Sequence, residues 1–392
     1  MSKKLLLTET CKFKLKPTEE QIRVLEELFT TYTEMVKTCF NFAIKNNVTS
    51  RKKLHKLIYR KLRSKFPDYP SHYVYTAITQ ALSIFKSYRR LSRKRRNIKQ
   101  PEIEVLNVVL LDDTHLFWFN WKHLKIATHK GHQVIPLIVH EYSEKFRGWK
   151  VKGSRLVRKD ESYWLHITFR KEIEAKQPHG VLGIDVNEKS IDLAVVKPNY
   201  ARFIKIDISE AKYVRDRYFK KRRNIQRKTR RKRRKLLAKY CGREKRRVDY
   251  ALHKASKIIA EIVAEENVRP VMEKLKNIRG RIRYGRKMNR RLHSMPFRKT
   301  QLYISYKSME FGYEHEKINA KNTSRICPIC GELNKPNGQL YRCKKCGFEA
   351  DRHLVAAWNI GLKSSMWGAL PFPPKAAHDL FKSEVERIVI KC

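Results

Sequence analysis

Long apolar runs are missing from this 392-residue sequence. No window holds the roughly 20 consecutive apolar residues that a membrane-spanning helix needs. The first residues, MSKKLLLTETCKFKLK, contain an apolar run that is too short for a secretory signal peptide. These two absences predict a soluble intracellular protein, and in that compartment thiols stay reduced.

Acidic residues are scarce relative to basic ones. The sequence has 38 Asp and Glu against 89 Lys and Arg, a formal net charge of +51. A chain with this imbalance repels itself unless an anion neutralises it, and nucleic acid is the partner that fits best. A membrane surface is the alternative, but the sequence has no strongly amphipathic terminal anchor. Thermal adaptation would normally raise Glu in parallel with Lys and Arg, and that rise is absent.

The eight cysteines fall into two sets. Four stand alone, as expected of ordinary packing or surface residues: Cys11, Cys39, Cys241 and Cys392. The others form two CxxC pairs: Cys327, Cys330, Cys343 and Cys346. Two CxxC turns can bring four thiolates to one tetrahedral Zn²⁺, and a glycine follows each second cysteine, where the backbone turns back. Two disulfides are the alternative, which a reducing compartment disfavours. The spacing therefore predicts a zinc ribbon over residues 326–347.

Periodicity divides the remaining chain. Helical spacing begins after Pro17 and continues to about residue 96, with Glu19 and Glu20 placed where the helix dipole favours them. Residues 103–169 then read as β-branched and aromatic strands, which indicates a small β-barrel or sandwich. Lys and Arg alternate with aromatics in that region, as on nucleic-acid-binding platforms.

A strongly basic run extends from Arg215 to Arg247 and contains no proline and only one glycine. It predicts a long helix lying against phosphates, with contacts that are salt-sensitive and independent of base sequence. A solvated helical face or a disordered run is the alternative. The arginines assigned to nucleic-acid binding are Arg222, Arg223, Arg230, Arg231, Arg233 and Arg234.

Three carboxylates occupy comparable local settings. Asp185 and Glu273 each end a short apolar strand, and Asp351 begins a helix just after the second CxxC turn. Hydrolysis of a phosphodiester by two Mg²⁺ ions needs several such carboxylates to converge. A single carboxylate in such a setting is more often a helix or strand cap, or a hydrogen-bonded surface group, than a metal ligand. Their spacing in the sequence therefore does not identify these three as a metal site.

Six segments carry a family resemblance: KFKLKPTEEQ, GIDVNEKSIDLAVV, DYALHKASKIIA, VMEKLKNIRG, NTSRICPICG and YRCKKCGFEADRHLVAAWNI. With these motifs in this order, the chain resembles the transposon-encoded TnpB/OrfB family, small relatives of type V CRISPR effectors. The resemblance implies an RNase H-like (RuvC) nuclease in which Asp185, Glu273 and Asp351 hold two catalytic Mg²⁺ ions. It also implies one structural Zn²⁺, a guide RNA, a double-stranded DNA target beside a short flanking motif, and the nucleoid-associated cytoplasm of a prokaryotic cell.

The same resemblance implies a multidomain α+β organisation. Residues 1–16 and 97–174 would form a β-barrel wedge-like domain, and residues 17–96 a helical recognition domain. Residues 175–325 and 348–363 would form the RuvC nuclease domain, interrupted by the zinc ribbon. Residues 364–392 are expected to be a flexible C-terminal tail.

The chain departs from the family pattern beside its third carboxylate. A second Asp two residues later, and an Asn two further on, are common in the family, whereas this chain has His353 and Val355. Two other functions therefore stay open: a DNA transposase that performs strand transfer itself, and an RNA-bound, DNA-binding regulator whose nuclease has decayed.

Overall fold

A computed structural model of the chain describes residues 3–94, 97–112, 115–198, 200–275, 280, 283–366, 381 and 385–391. The chain divides into an N-terminal unit, residues 8–171, and a C-terminal unit, residues 1–7 and 172–392. Within the described ranges, no helix combines the length and the apolar character that crossing a membrane requires.

The N-terminal unit combines three helices with a sheet. The helices are α1 (Glu19–Lys45), α2 (Arg51–Lys65) and α3 (His72–Ser92), and a short 3-10 helix covers Glu141–Phe146. The strands are β1 (Lys4–Leu15), β2 (Val108–Leu111), β3 (Phe117–Asn120), β4 (His123–Thr128), β5 (Gly131–Ile138), β6 (Lys150–Lys159) and β7 (Ser162–Glu174), of which β1 begins before residue 8 and β7 ends after residue 171. Helix α1 begins with a capping box, in which Thr18 Oγ1 accepts from Gln21 N at 3.3 Å and Gln21 Oε1 accepts from Thr18 N at 3.1 Å.

Helices and strands of this unit share one hydrophobic core. The core joins Phe29 and Tyr32 of α1 to Leu111 of β2 and Phe169 of β7. The Tyr73 hydroxyl of α3 also donates to a carbonyl of β4 at 2.7 Å. The boundary that we expected near residue 96, between a helical domain and a β domain, therefore does not separate two cores.

The seven strands form one sheet in the order β2-β6-β7-β1-β5-β4-β3. A single seven-stranded sheet agrees with the β-barrel or sandwich that the sequence predicted, and its closure stays a prediction.

The C-terminal unit is built around a second sheet. In chain order its elements are β8 (Gly180–Val186), β9 (Ser190–Lys197), β10 (Tyr200–Asp207), α4 (Ser209–Gln226), α5 (Arg230–Tyr240), α6 (Arg243–Glu265), β11 (Val268–Glu273), α7 (Arg286–Ser294), α8 (Phe297–Glu310), β12 (Glu316–Ile318), β13 (Leu340–Arg342), β14 (Glu349–Asp351), α9 (Arg352–Leu362) and β15 (Glu386–Val389). Six strands pair in the order β12-β11-β8-β9-β10-β15. Strands β8, β9 and β10 run antiparallel, whereas β11 is parallel to β8 and to β12.

Both faces of this sheet are covered, because successive side chains of a strand point to opposite sides. On β8, Leu182 and Ile184 join a core with residues of α6 and α8, and Val181 joins a second core with Trp358 of α9. Strand β8 is therefore buried on both sides, which explains its nearly continuous apolar sequence.

Strand β15 corrects the expectation of a flexible tail. It pairs in parallel with β10, from Ile204 opposite Glu386 to Asp207 opposite Val389. Arg202 Nε also donates to a Glu386 carboxylate oxygen at 3.1 Å. Residues 367–380, 382–384 and 392 lie outside the described residues, so the expectation is not tested for them.

Candidate metal centres

The sheet of the C-terminal unit brings two of the expected carboxylates to one edge. Asp185 lies near the end of β8 and Glu273 is the last residue of β11. These strands are parallel, with Ile184 opposite Met272, so their carboxyl ends meet at the same edge. Asp351 reaches the site from helix α9, which it caps, and α9 packs on β8.

His353 connects Asp185 with Asp351. Its Nδ1 lies 3.1 Å from Asp185 Oδ2, and its backbone N–H donates to Asp351 Oδ1 at 2.8 Å. Asn187 Nδ2 donates to the same Asp185 oxygen at 2.7 Å. His353 thus contacts the first expected carboxylate directly.

Asp192 is a further carboxylate at this edge, and the sequence analysis missed it. It lies opposite Asp185 in the β8–β9 pair and is completely buried. Its Oδ2 accepts from Ser190 Oγ at 2.5 Å and from Asn187 Nδ2 at 3.0 Å. Burial raises the pKa of Asp192 above its usual value. Ligand atoms of Asp185, Asp192 and His353 all lie within 4.8 Å of one another.

Lys205 supplies positive charge to two of these carboxylates. It lies on β10 opposite Asp192, and its Nζ is 3.3 Å from Asp192 Oδ1 and 2.6 Å from Asp351 Oδ2. Burial alone would raise the pKa of Asp351, but the Lys205 ammonium and the N–H of His353 hold it below its usual value.

Glu273 occupies a partly buried position beside the others. Its Oε1 accepts a hydrogen bond from Thr323 Oγ1 at 2.6 Å. Burial raises the pKa of Glu273, the Thr323 hydrogen bond opposes this rise, and the negative charge of Asp185 adds to it. Among the described residues the tight group joins Asp185 to Asp192 and His353, rather than to Glu273 and Asp351. The Asp185, Glu273 and Asp351 triad stays a prediction.

The four cysteines of the CxxC pairs form one cluster, with all four sulfurs within 4.8 Å of one another. Cys327 Sγ lies 3.6 Å from Cys346 Sγ, and Cys330 Sγ lies 3.5 Å from Cys343 Sγ. Sulfurs bound tetrahedrally at about 2.3 Å from Zn²⁺ would be spaced by nearly this distance. The set therefore fits a zinc ion.

The turns of this cluster are built by backbone bonds. Gly331 N donates to the Cys327 carbonyl at 3.0 Å and Gly347 N to the Cys343 carbonyl at 3.1 Å. Both glycines have positive φ, of 74° and 71°, as the sequence predicted for these turns. Asn334 Nδ2 donates to Cys343 Sγ at 3.4 Å. Burial would raise the pKa of Cys343, but N–H groups of Cys346 and Lys345 and the neighbouring thiols lower it to about 6.

The expected nucleic-acid contacts lie on α4 and α5. Helix α5 has no buried residue, and Arg230, Arg231 and Arg234 are exposed on it. Arg222 of α4 is instead paired with Glu244. One long helix was expected here, but α4 and α5 are separate and end at residues 226 and 240.

Comparison with known proteins identifies the family. Residues 297–360 match the model described as Cas12f1-like, TNB domain, and residues 28–127 match the uncharacterized protein MJ0013 family. The chain is 35% identical over 274 residues to the TnpB-like protein MJ0751 of Methanocaldococcus jannaschii, an alignment that covers 67% of this chain and 98% of that relative. The chain belongs to the TnpB-like family.

A second TnpB-like protein and a solved structure also resemble the chain. The TnpB-like protein aq_aa05 of Aquifex aeolicus is 30% identical over 242 residues, which cover 54% of this chain and 78% of the relative. A Cas12f1–sgRNA–target DNA complex overlaps 91% of this TnpB-like chain and 99% of its own chain, at 18% identity and a TM-score of 0.38.

Proposed function

We propose that this TnpB-like chain is an RNA-guided DNA endonuclease that hydrolyses phosphodiester bonds with the help of divalent metal ions. Family membership supports the general assignment. The observation that carries it in this chain is the group of Asp185, Asp192 and His353 at the edge of the sheet where Glu273 also ends its strand, with Lys205 pairing both Asp192 and Asp351. Within the described part of the chain, the ammonium groups of Lys205 and Lys363 act on these carboxylates, so negative charge is in excess among the residues described there.

The residues at this edge fit Mg²⁺. Carboxylate oxygens are the hard ligands that Mg²⁺ prefers, and burying several of them together is costly without a counter-charge. Asp185, Glu273 and Asp351 would hold two ions, which when bound would activate water and stabilise the departing 3′ oxygen. Asn187 orients Asp185 through its hydrogen bond, and Thr323 does the same for Glu273.

A structural zinc ion would position the third carboxylate. Asp351 is the last residue of β14 and lies opposite Leu340 in the hairpin that the second cysteine pair closes. The next residue, Arg352, donates its N–H to the Gln339 carbonyl at 2.8 Å. Zinc at the cysteines would therefore fix the start of α9 and the direction from which Asp351 reaches the site.

Guide RNA and double-stranded DNA are the proposed partners, and the C-terminal unit is the proposed RNase H-like nuclease domain. A charge of +51 suits a polyanion larger than one short duplex. Base pairing would select the target sequence, while the exposed arginines of α5 would contact phosphates. The cytoplasm, where both partners occur, is the proposed location.

The test is to purify the full chain, sequence any bound RNA, and assay cutting of DNA that matches it. We expect a discrete RNA and Mg²⁺-dependent hydrolytic cuts that Asp185→Asn abolishes while RNA binding is retained. Asp160→Asn is the control, because Asp160 lies exposed in a turn at φ 48°, which Asn tolerates. Joined DNA strands would indicate a transposase, and a bound RNA without any cutting would indicate a regulator. Normal cutting by Asp185→Asn would overturn the assignment of the site.

A further inference from the structure

We propose that Asp185, Asp192 and His353 form a divalent-cation site with mixed oxygen and nitrogen ligands, which binds Mn²⁺ more tightly than Mg²⁺. This inference rests on the proposed function, because it identifies the metal that the nuclease site prefers. It concerns two residues, Asp192 and His353, that lie outside the expected triad.

The geometry of the group suits a metal shell. Its ligand atoms all lie within 4.8 Å of one another, and His353 Nδ1 is 3.1 Å from Asp185 Oδ2. Neighbouring ligands of an octahedral ion bound at about 2.1 Å are roughly 3 Å apart. The imidazole and the carboxylate are thus already spaced as adjacent ligands of one ion.

The second observation is an oxygen without a hydrogen bond. Asp192 is completely buried, and its Oδ1 accepts no hydrogen bond within the described part of the chain, although Lys205 Nζ lies 3.3 Å away. Because Lys205 is shared with Asp351, its ion pair offsets only part of the cost of burying this oxygen. Its partner Oδ2 is held by Ser190 and Asn187, so the side chain is fixed with Oδ1 available as a ligand.

The negative charge of this Asp185, Asp192 and His353 group also favours binding of a cation. Lys205 is shared between Asp192 and Asp351, so one ammonium serves two carboxylates. Asp185 receives its contacts from Asn187 and His353, of which Asn187 brings no charge. A divalent ion within the group would neutralise the negative charge that these partners do not balance.

The imidazole decides which cation is preferred. Mg²⁺ selects oxygen ligands and gives up its water reluctantly, whereas imidazole nitrogen suits transition metals. An Asp at position 353 would make the shell all-oxygen. His353 therefore shifts the preference of this chain towards a transition metal, of which Mn²⁺ is closest to Mg²⁺ in its acceptance of carboxylates.

The test measures metal binding by the full, zinc-loaded chain without nucleic acid. Free Mn²⁺ is followed by its electron paramagnetic resonance signal, and Mg²⁺ affinity is obtained by competition. We expect Mn²⁺ to bind at least tenfold more tightly than Mg²⁺. His353→Asp should reduce this ratio at least fivefold while Mg²⁺ binding persists, and Asp192→Asn should weaken Mn²⁺ binding at least tenfold.

Controls separate binding from folding. Asp160→Asn and His132→Gln change an exposed carboxylate and an exposed imidazole in the N-terminal unit and should leave both affinities unchanged. Thermal unfolding without added metal shows whether Asp192→Asn folds; if it does not, the ratio in His353→Asp and His353→Gln decides the question. An unchanged ratio in both His353 variants would overturn the proposal.

Failure of this inference differs from failure of the proposed function. If the chain binds Mn²⁺ selectively but cuts no DNA, the metal site is supported and the proposed nuclease function is wrong. If DNA cutting depends on Asp185 but the ratio of Mn²⁺ to Mg²⁺ affinity does not change with the residue at position 353, the nuclease assignment holds and the mixed-ligand site is wrong.

Discussion

A Cβ atom built on Gly183 would lie 1.9 Å from the carbonyl oxygen of Ala357. The backbone of β8 is therefore in direct contact with helix α9. A Cβ on Gly361, one turn further along α9, would meet the Gly183 amide at 3.5 Å. This approach sets the distance between Asp185, which β8 carries, and Asp351, which starts α9.

Gly183→Ala should therefore destabilise the C-terminal unit. The added methyl cannot fit against backbone atoms, so the helix must move away from the strand, at a cost of about 1–3 kcal/mol or more. The measurement is urea unfolding, together with DNA cutting by the folded protein. Gly153→Ala is the matched control, because a Cβ at Gly153 meets its nearest atom at an ordinary 3.6 Å. Equal stability of the Gly183 variant and the wild type would show that this close approach is absent in solution.

Loss of a cysteine ligand should release zinc. We expect the purified chain to hold one zinc ion, and Cys343→Ser to lose it because three thiolates and a hydroxyl bind Zn²⁺ poorly. Elemental analysis of the purified protein measures this directly. Cys241→Ser serves as the control, since Cys241 is exposed and stands apart from the cluster. Zinc retained by Cys343→Ser, or absent from the wild type, would contradict the ribbon.

The ion pairs of Glu266 should make stability depend on pH. Glu266 accepts from Lys197 Nζ at 2.6 Å and from Arg202 at 3.0 Å. Burial would raise the pKa of Glu266, but these two cations hold it below its usual value. A lowered pKa in the folded state stabilises the protein above the unfolded value, near 4.3, and that contribution is lost as the pH falls through the folded pKa.

Glu266→Gln should therefore lower the free energy of unfolding by about 1 kcal/mol at pH 7, with the difference shrinking below about pH 4. Chemical unfolding at pH 7 and at pH 3 measures the effect. Glu261→Gln removes a more exposed pair, with Lys257 at 3.7 Å, and should change little at either pH. A Glu266 effect of the same size at pH 7 and pH 3 would argue against the pairing.

Exposed arginines of α5 should set the salt dependence of nucleic-acid binding. Each phosphate contact contributes roughly 0.7–0.9 to the slope of log K against log salt. Replacing Arg230, Arg231 and Arg234 together by Gln should reduce that slope by about 2–3. Arg222→Gln should have a smaller effect, because Glu244 already neutralises that side chain. Titrations of DNA and RNA at several salt concentrations provide the values, and an unchanged slope in the triple variant would remove α5 from the interface.

Local patterns predicted the parts of the site that local rules govern. The cysteine cluster follows from the spacing within each CxxC turn. The ends of two apolar strands could be read from the sequence, but Asp185 and Glu273 were selected as site residues by the family resemblance. Asp192 and Lys205 were missed because their roles depend on the register of β8, β9 and β10, which brings residues 185, 192 and 205 into one cross-strand row. A lone charged residue in the apolar strand SIDLAVV was the available signal, and an isolated Asp in a strand does not reveal its neighbours.

Domain boundaries and the end of the chain were hard to predict for a similar reason. A change of period near residue 96 marks a change of secondary structure, but it says nothing about whether the helices and strands share a core. Strand β15 consists of only four residues, and its place beside β10 depends on tertiary pairing that no local pattern encodes.

Asp351 belongs to two substructures at once, as the closing rung of a hairpin and as the cap of a helix. A chelator or an oxidant that removed zinc from the cysteines would therefore also disturb the carboxylates at the edge of the sheet, without contacting them. Loss of the ion would weaken the pairing between Leu340 and Asp351. The Asp351 carboxylate would then lose its orientation towards the site, although no acidic residue had been replaced.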